Sequence, residues 1–470
     1  MAAIVPQLRH VFSDPTLVVT HVALFDGTGA PLQRDVNLAV SKGRLVSISG
    51  GTDIRETRTT RVVDGRGKYL IPGLWDAHVH VGGDPSYLTL LVANGVTALR
   101  DMEGSLAVDQ DWRHRIAEQS MIGPQIFASG PILDGPQPVW PTSRAISNPE
   151  QAKQVVDELS QEKADFLKVY SLLPRAAYFA LAEEANRVGI RFAGHVPFSV
   201  TVSEAVAAGQ ASIEHVGDIW FSCSSEEEKL RRELLDAVSS MQANPAKLSH
   251  VYFATQVAAA KSFGWKKATL LFSSLAQHKT FVVPTLVVLK TFCGRADTQD
   301  DSLRYVPLEV RREWGRSVAS CSPLDTEENE GYFLLSLSLV HTMWTSGVKI
   351  AAGTDAPEPF VVPGFSIHEE LELLARAGLP TSEVLRIATQ GSAELVGASE
   401  TMGTIAVGKR ADFLLLNANP LEDIRNTRRI DTVVAGGEFL SPVSLQTLLQ
   451  RSLPESDLRS QDTISLNQAD

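Results

Sequence analysis

The sequence predicts an α/β protein with a (β/α)8 TIM-type barrel and a small β-sandwich domain built from both ends of the chain. Three features predict this fold. Short apolar segments alternate with helical stretches from Pro72 onward, a glycine ends five of these helical stretches, and β-rich segments flank the alternating region on both sides. A glycine just past a helix adopts the left-handed conformation that returns the chain to a strand, and eight strand–helix units make a barrel.

The predicted domain boundaries lie where these patterns change. Residues 1–70 and 401–440 should form the β-sandwich domain, and residues 71–400 the barrel. Residues 441–470 should form a C-terminal helix and a flexible tail.

The first part of the chain contains short runs that are rich in β-forming residues. These runs are Thr16–Thr20, His21–Phe25, Val36–Val40 and Arg44–Ile48. A β-meander of this size cannot easily close its own core. We therefore expect it to pair with the β-rich segments Gly403–Asn417 and Asp431–Gly437, which follow the last predicted helix.

Eight apolar segments are the predicted strands of the barrel. The first, Leu74–Val81, follows the turn signal Pro72-Gly73. The other seven are Gly95–Arg100, Gly123–Ala128, Asp165–Tyr170, Gly189–Ala193, Gly209–Ile213, Phe281–Leu286 and Gly347–Ala351. Residues 219–280 and 291–345 are too long for simple crossovers, so they are predicted lids or active-site walls; ordinary surface excursions are the alternative.

Composition narrows the class of protein. The 470 residues carry 43 basic and 55 acidic side chains, a net charge of −12, and no basic run, which argues against nucleic acid and membrane partners. We find no signal-peptide pattern and no stretch long enough to span a bilayer. The three cysteines, Cys223, Cys293 and Cys321, are widely spaced and indicate inert thiols in a reducing compartment. The predicted location is therefore the cytoplasm.

Histidines recur at the predicted carboxyl ends of the strands, where barrels collect their chemistry. His78 and His80 are two residues apart on a strand and so project to the same side. If these two histidines were considered in isolation, hydrogen bonds to neighbouring residues would explain them equally well. However, His195 and His215 each lie six residues after a glycine in consecutive units, which places them at equal depth. That repeated offset favours a metal site, and Asp355 ends the eighth strand at the same level.

Three other polar residues at strand ends have two interpretations each. Lys168 lies among apolar residues, where a cation is costly to bury, so it either pairs with an acid such as Asp101 or is not a cation at all. Tyr170, two residues after Lys168, points to the same side of the strand. It either contacts the substrate or stabilises the oxyanion, or its phenol has a structural role. Arg100 either binds a substrate carboxylate or forms an internal ion pair. Glu214, next to His215, should face away from the metals.

These motifs together resemble the amidohydrolase superfamily, in particular its prolidase-like and imidazolonepropionase-like branch. The resemblance covers about residues 17–437. It rests on Pro-Gly-Leu-Trp-Asp-Ala-His-Val-His ending at His80, the strand-four Lys168, Gly-His-Val around His195, Ile-Glu-His-Val around His215, Gly-Thr-Asp ending at Asp355, and the closing Gly-Thr-Ile-Ala-Val-Gly-Lys-Arg-Ala-Asp-Phe.

The resemblance implies a site with two divalent metal ions, Zn²⁺ first, with Mn²⁺ or Co²⁺ as alternatives. His78, His80 and Asp355 would hold the inner ion and His195 and His215 the outer one. Lys168, carboxylated by CO₂, would bridge both ions as a carbamate.

The implied activity is hydrolysis of an amide C–N bond by a metal-bridging hydroxide, with Asp355 transferring the proton. The implied partner is a small-molecule substrate of the dipeptide or N-acyl amino acid type, and the enzyme should be a homo-oligomer. Alternatives are a cyclic amide, imide or carbamate substrate, a mononuclear deaminase, which would lack Lys168, and an inactive scaffold, which would have lost ligands.

Overall fold

The computed structural model describes residues 14–50, 57–240, 245–292, 296–319 and 321–454, whose strands form three sheets. The strands are β1 Leu17–Leu24, β2 Gln33–Ser41, β3 Arg44–Gly50, β4 Arg61–Asp64, β5 Tyr69–Pro72, β6 Leu74–Val79, β7 Val96–Asp101, β8 Gln125–Ala128, β9 Ile132–Asp134, β10 Arg144–Ala145, β11 Phe166–Val169, β12 Arg191–Gly194, β13 Ser212–Glu214, β14 Phe281–Val283, β15 Lys349–Ile350, β16 Phe413–Leu416, β17 Ile430–Ala435 and β18 Glu438–Leu440.

The helices occupy the connections between the parallel strands and the C-terminal region. They are α1 Pro85–Ala93, α2 Leu106–Ala117, α3 Pro149–Gln161, α4 Arg175–Val188, α5 Val202–Ala207, α6 Gly217–Cys223, α7 Glu227–Ser239, α8 Pro245–Lys261, α9 Trp265–His278, α10 Leu286–Thr291, α11 Leu308–Ala319, α12 Pro323–Thr345, α13 Phe365–Arg376, α14 Thr381–Arg386, α15 Ser392–Val396 and α16 Pro442–Arg451. No helix of the described ranges is both long enough and apolar enough to cross a membrane.

The eight-stranded sheet combines strands from both ends of the chain. Its order is β18-β17-β16-β5-β1-β2-β3, with β4 paired to β1. The two ends meet where β16 runs antiparallel to β5, with Phe413 opposite Pro72. Alternate residues of these strands, such as Val19, Leu38 and Leu415, are fully buried in one apolar cluster. The strands lie in a single sheet here, and the division of the chain into domains stays a prediction.

The first strand is longer than the sequence predicts. Thr16–Thr20 and His21–Phe25 were expected as separate runs, but Leu17–Leu24 is continuous. His21 adopts a φ of 58°, and the pairing with β2 shifts register between Val19 and Val22. A β-bulge therefore interrupts the alternation without ending the strand.

We expect deletion of residues 1–60 to give insoluble protein. The deletion removes β1, β2 and β3, so β5 loses one of its two neighbours in the sheet and the apolar face of β16 loses its cover. An unpaired apolar edge strand promotes aggregation. The measurement is the soluble fraction after expression. A soluble, active truncation would contradict the dependence of the C-terminal strands on the N-terminal ones.

The other two sheets are parallel and confirm the α/β class. One has the order β10-β9-β11-β12-β13-β14-β15 and the other β6-β7-β8. Each of the eight predicted barrel segments overlaps a strand, whereas the short β9 and β10 were not predicted. Backbone hydrogen bonds connect the two sheets. Ala77 N donates to Ala352 O at 2.8 Å, and Asp165 N donates to Ala128 O at 2.9 Å.

Glycines after helices have two different roles. Gly189 caps α4 with a φ of 79°, as the sequence predicts. Gly123 does not have a positive φ. A Cβ atom there would lie 2.6 Å from Ile116 Cδ1, so close packing against α2 is what requires this glycine.

The cysteines do not all follow the expectation of free thiols. Cys223 is buried and free, but Cys321 is disulfide-bonded. Cys293 lies outside the described residues. The expectation of three inert thiols is therefore wrong for Cys321, and the cysteines no longer support the predicted cytoplasmic location.

Candidate metal centre

His78, His80 and Asp355 converge on one point at the carboxyl ends of the parallel strands. One ligand atom of each lies within 4.8 Å of the others. Asp355 Oδ1 is 3.0 Å from His78 Nε2 and 3.1 Å from His80 Nε2. The position of Asp355 follows from its backbone, because its amide donates to His78 O at 2.7 Å and its φ is 61°. Aspartate tolerates this left-handed conformation better than most residues.

A buried aspartate on β6 braces this arrangement. Asp76 Oδ2 accepts a hydrogen bond from Thr354 Oγ1 at 2.6 Å, and Asp76 Oδ1 accepts one from Thr354 N at 3.0 Å. Two hydrogen bonds therefore join the Pro-Gly-Leu-Trp-Asp-Ala-His-Val-His motif to the Gly-Thr-Asp motif beside Asp355. Sequence reasoning treated these motifs as sources of ligands only and missed this contact.

The remaining two histidines lie beside the first group. The His215 ring centroid is 4.9 Å from those of both His78 and His195. His215 Nε2 is 3.7 Å from Asp355 Oδ2. The structure therefore brings all four predicted histidines and Asp355 together.

Three of these imidazoles are oriented through Nδ1. His78 Nδ1 donates to Glu214 Oε2 at 2.8 Å. His195 Nδ1 and His215 Nδ1 are hydrogen-bonded to the hydroxyls of Ser171 at 2.9 Å and Thr285 at 2.7 Å. When Nδ1 donates, the lone pair is on Nε2, which is the form that binds metals.

One buried nitrogen atom indicates whether the cluster of His78, His80 and Asp355 can hold a cation. His78 Nε2 has no hydrogen-bond partner among the described residues, although Asp355 Oδ1 is only 3.0 Å away. A buried polar atom without a partner costs free energy. A divalent cation between this nitrogen and the carboxylate would satisfy both atoms, and the donor set of imidazole and carboxylate suits Zn²⁺.

The electrostatics of the site favour neutral imidazoles at His195 and His215 and an ionised Asp355. Burial lowers the pKa of His215 to about 3 and the pKa of His195 well below its ordinary value. Burial alone would raise the pKa of Asp355, but His78, His215 and the hydrogen bond from His80 hold that pKa well below its ordinary value. These are the protonation states that metal ligands require.

Lys168 is buried on β11 without an ion pair to any described residue. Burial lowers the pKa of its amine to about 8, and the nearby charges of Glu214 and Asp355 only partly oppose this effect. The neighbouring Gly194 makes room for it, since a Cβ there would be 3.1 Å from Lys168 Cδ and 2.1 Å from Val169 O. The alternative of a salt bridge to Asp101 is not what the structure shows.

Glu214 and Arg100 require corrections. Glu214 does not face away from the site, because it accepts the hydrogen bond from His78 Nδ1. Arg100 donates to Glu214 Oε1 at 2.7 Å, to Ser212 Oγ at 2.8 Å and to Ala77 O at 2.6 Å, and it is 2% exposed. With its guanidinium occupied in this way, the prediction that Arg100 binds substrate is wrong, and it forms an internal ion pair.

Tyr170 lies at the mouth of the site beside an unpredicted aromatic residue. Its ring stacks on that of His195 with centroids 4.0 Å apart, and its hydroxyl accepts a hydrogen bond from Trp140 Nε1 at 3.0 Å. Trp140 lies between β9 and β10 and is 44% exposed. The only signal in the sequence was a tryptophan in a proline-rich connection, Pro136 to Pro141.

Comparisons with known proteins agree with this geometry. Residues 337–440 match the Amidohydrolase family. Ochratoxinase from Aspergillus niger is 22% identical over 444 residues, which cover 86% of this chain and 81% of that protein. The structure of a bottromycin amidohydrolase superposes with a TM-score of 0.75 at 26% identity and covers 93% of this chain and 89% of that chain.

A second solved structure has the same fold over nearly its whole length. A putative prolidase from Bifidobacterium longum superposes with a TM-score of 0.66 at 22% identity, covering 93% of this chain and 99% of that chain. The family match over residues 337–440, the superpositions and the converging motifs together support the amidohydrolase superfamily as the family of this chain.

Proposed function

We propose that this protein is a metal-dependent hydrolase that cleaves an amide C–N bond of a small molecule, with its parallel strands arranged as a (β/α)8 barrel. The observation that carries the proposal is the convergence of His78, His80 and Asp355 around the unpartnered His78 Nε2. The named activities of the relatives, ochratoxinase and prolidase, support amide hydrolysis as the reaction class.

The residues divide into two sets of metal ligands. We assign His78, His80 and Asp355 to one ion and His195 and His215 to the other, with Lys168 between them. The lowered amine pKa of Lys168 supports its modification, because the uncharged amine attacks CO₂ to form a carbamate anion and releases one proton. When bound, divalent ions would polarise the substrate carbonyl and make a bound water more acidic.

The chain itself supplies the proton transfer and the substrate walls. Asp355 is ionised and buried, so it can accept the proton of the attacking water and deliver it to the leaving nitrogen. Trp140 donates a hydrogen bond to the Tyr170 hydroxyl, and we assign this hydroxyl the role of contacting the substrate carbonyl oxygen. Glu214 and Arg100 position His78 and do not contact substrate.

The test is a substrate panel with the purified protein after loading with Zn²⁺, Mn²⁺ or Co²⁺. We expect two metal equivalents per chain and turnover of dipeptides or N-acyl amino acids. Preferential turnover of cyclic imides or carbamates would instead assign the alternative substrate class. A protein that contains less than one metal equivalent and hydrolyses no member of the panel would contradict the proposal and favour an inactive scaffold.

We expect Trp140→Ala to raise KM for the best amide substrate by about tenfold, the equivalent of about 1.4 kcal/mol of lost binding, with a smaller effect on kcat. The variant removes both an exposed aromatic wall and the donor to the Tyr170 hydroxyl. Trp140→Phe keeps the wall and removes only the donor, so it separates the two contributions. Trp265→Ala is the control, because Trp265 is 66% exposed on α9. Unchanged kinetics in Trp140→Ala would exclude this residue from the substrate site.

A further inference from the structure

A large cavity lies at the opposite end of the parallel strands from the candidate metal centre. It encloses about 690 Å³ and is lined by the start of β8, the end of α2 and the two turns that join β2 to β3 and β17 to β18. This volume is within the range of small-molecule sites, which is about 300–1,000 Å³. The proposed catalytic residues do not line it.

The charges around this cavity are unbalanced. Four basic side chains line it, Lys42, Arg44, Arg113 and Arg410, against one acidic side chain, Glu438. The whole chain has a net charge of −12, so a local excess of cations runs against its composition. Acids outside the lining pair with two of the four cations, Asp165 with Arg113 and Asp412 with Arg410, whereas Lys42 and Arg44 form no described ion pair. Glu438 also forms no described ion pair, and burial raises the pKa of Glu438.

Several donors of these cations lack partners in the described part of the chain. Arg113 pairs with Asp165 through Nη2, but its buried Nε has no hydrogen-bond acceptor. Arg410 donates from Nη1 to Gln125 at 2.8 Å and from Nε to Asp412 at 3.1 Å, which leaves Nη2 without a described acceptor. Lys42 is exposed and forms no described ion pair or side-chain hydrogen bond.

Much of the remaining lining consists of apolar side chains and of two closely packed turns. Apolar side chains form its base: Ile116, Ile122, Phe127, Met402 and Leu440. The two turns are packed backbone to backbone through glycines, because a Cβ on Gly437 would lie 2.5 Å from Gly43 Cα. Both of these glycines have a positive φ, 85° and 72°, so the wall that carries Lys42 and Arg44 is fixed before any ligand binds.

We propose that this cavity binds a small organic anion, with an aromatic or alkyl body on the apolar base and a carboxylate, sulfonate or phosphate against the basic side chains. Guanidinium groups bind such planar or tetrahedral oxyanions through paired hydrogen bonds. The proposal is independent of the hydrolytic activity, because it uses none of the metal-centre residues.

A pair of fluorescent probes tests the proposal on the full chain. 8-Anilinonaphthalene-1-sulfonate carries a sulfonate, whereas N-phenyl-1-naphthylamine has the same rings without a charge. We expect the sulfonate probe to bind at one site per chain and at least about tenfold more tightly than the neutral probe, a difference of about 1.4 kcal/mol. Equal affinity for the two probes would show a merely apolar surface and overturn the proposal.

Charge-changing variants test whether the sulfonate probe binds in this cavity. The double variant Lys42→Glu Arg44→Glu changes two exposed residues, one in the β2–β3 turn and one at the start of β3, and should weaken binding of the sulfonate probe by at least about tenfold while leaving that of the neutral probe unchanged. Lys42→Gln Arg44→Gln is the milder variant and should lie between this double variant and the unmodified protein. The matched control is Arg232→Glu Lys266→Glu, two exposed cations outside the cavity with the same change in net charge. Equal weakening in the control would mean a general charge effect and would overturn the proposed site.

Discussion

Lys168→Ala is expected to reduce amide hydrolysis by more than about 100-fold and to lower the metal content of the purified protein. The loss of an outer partner of a metal ligand already costs about 10–100-fold, and Lys168 is assigned as a direct ligand shared by both ions. The side chain forms no described ion pair, so its loss breaks no salt bridge, although its near-complete burial means that truncation also leaves a cavity. Kinetics and elemental analysis of the same preparation give both readouts.

Lys168→Arg separates a carbamate from a cation. Arginine keeps the positive charge and pairs well with carboxylates, so a structural cation at this position predicts much retained activity. Arginine does not form the carbamate, so the proposal requires this variant to be as inactive as alanine. High concentrations of acetate should partly restore turnover in Lys168→Ala by occupying the vacated space. The control is Lys153→Ala, an exposed lysine on α3 that pairs with Glu183. An active arginine variant with full metal content would end the carbamate assignment.

Glu214→Leu is expected to have two separate effects, one on stability and one on metal affinity. Arg100 would be left buried without its carboxylate, which costs about 3–5 kcal/mol in comparable buried pairs. His78 Nδ1 would lose its acceptor, so affinity for the ion held by His78 should fall by about 10–100-fold. Urea unfolding of the chelator-treated protein measures the first effect, and competition with a chelator measures the second.

A double variant separates the effect on stability from the effect on metal affinity. Arg100→Met Glu214→Leu removes both buried charges and should recover most of the lost stability, as replacement of buried ion pairs by apolar residues often does. It should not recover metal affinity, because His78 Nδ1 still lacks an acceptor. Glu183→Leu, which breaks a surface pair with Lys153, should change neither quantity appreciably. Recovery of metal affinity in the double variant would show that Glu214 does not act through His78.

The sequence by itself determined the α/β class and the positions of most parallel strands along the chain. Parallel strands buried on both faces are short apolar runs, and the glycines after helices mark where each run starts, so local pattern is sufficient to find them. The same reasoning predicted the four histidines and Asp355, because strand periodicity and equal offsets from a glycine are properties of the chain alone. It misread His21, where a bulge replaces the expected strand boundary.

Only the tertiary structure decided which polar residues face one another. Arg100 lies on β7 and donates hydrogen bonds to Ser212 and Glu214 on β13. Alternation around His215 predicted that Glu214 faces away from the site, yet Glu214 accepts a hydrogen bond from His78, which is 136 residues away in the sequence. Trp140 reaches Tyr170 from a connection without regular pattern. Side-chain partners across a sheet depend on strand order and register, which are set by packing of the whole chain. For that reason the sequence predicted the convergence of the four histidines and Asp355, whereas it did not indicate the residues that hydrogen-bond to them or the basic cavity at the other end of the strands.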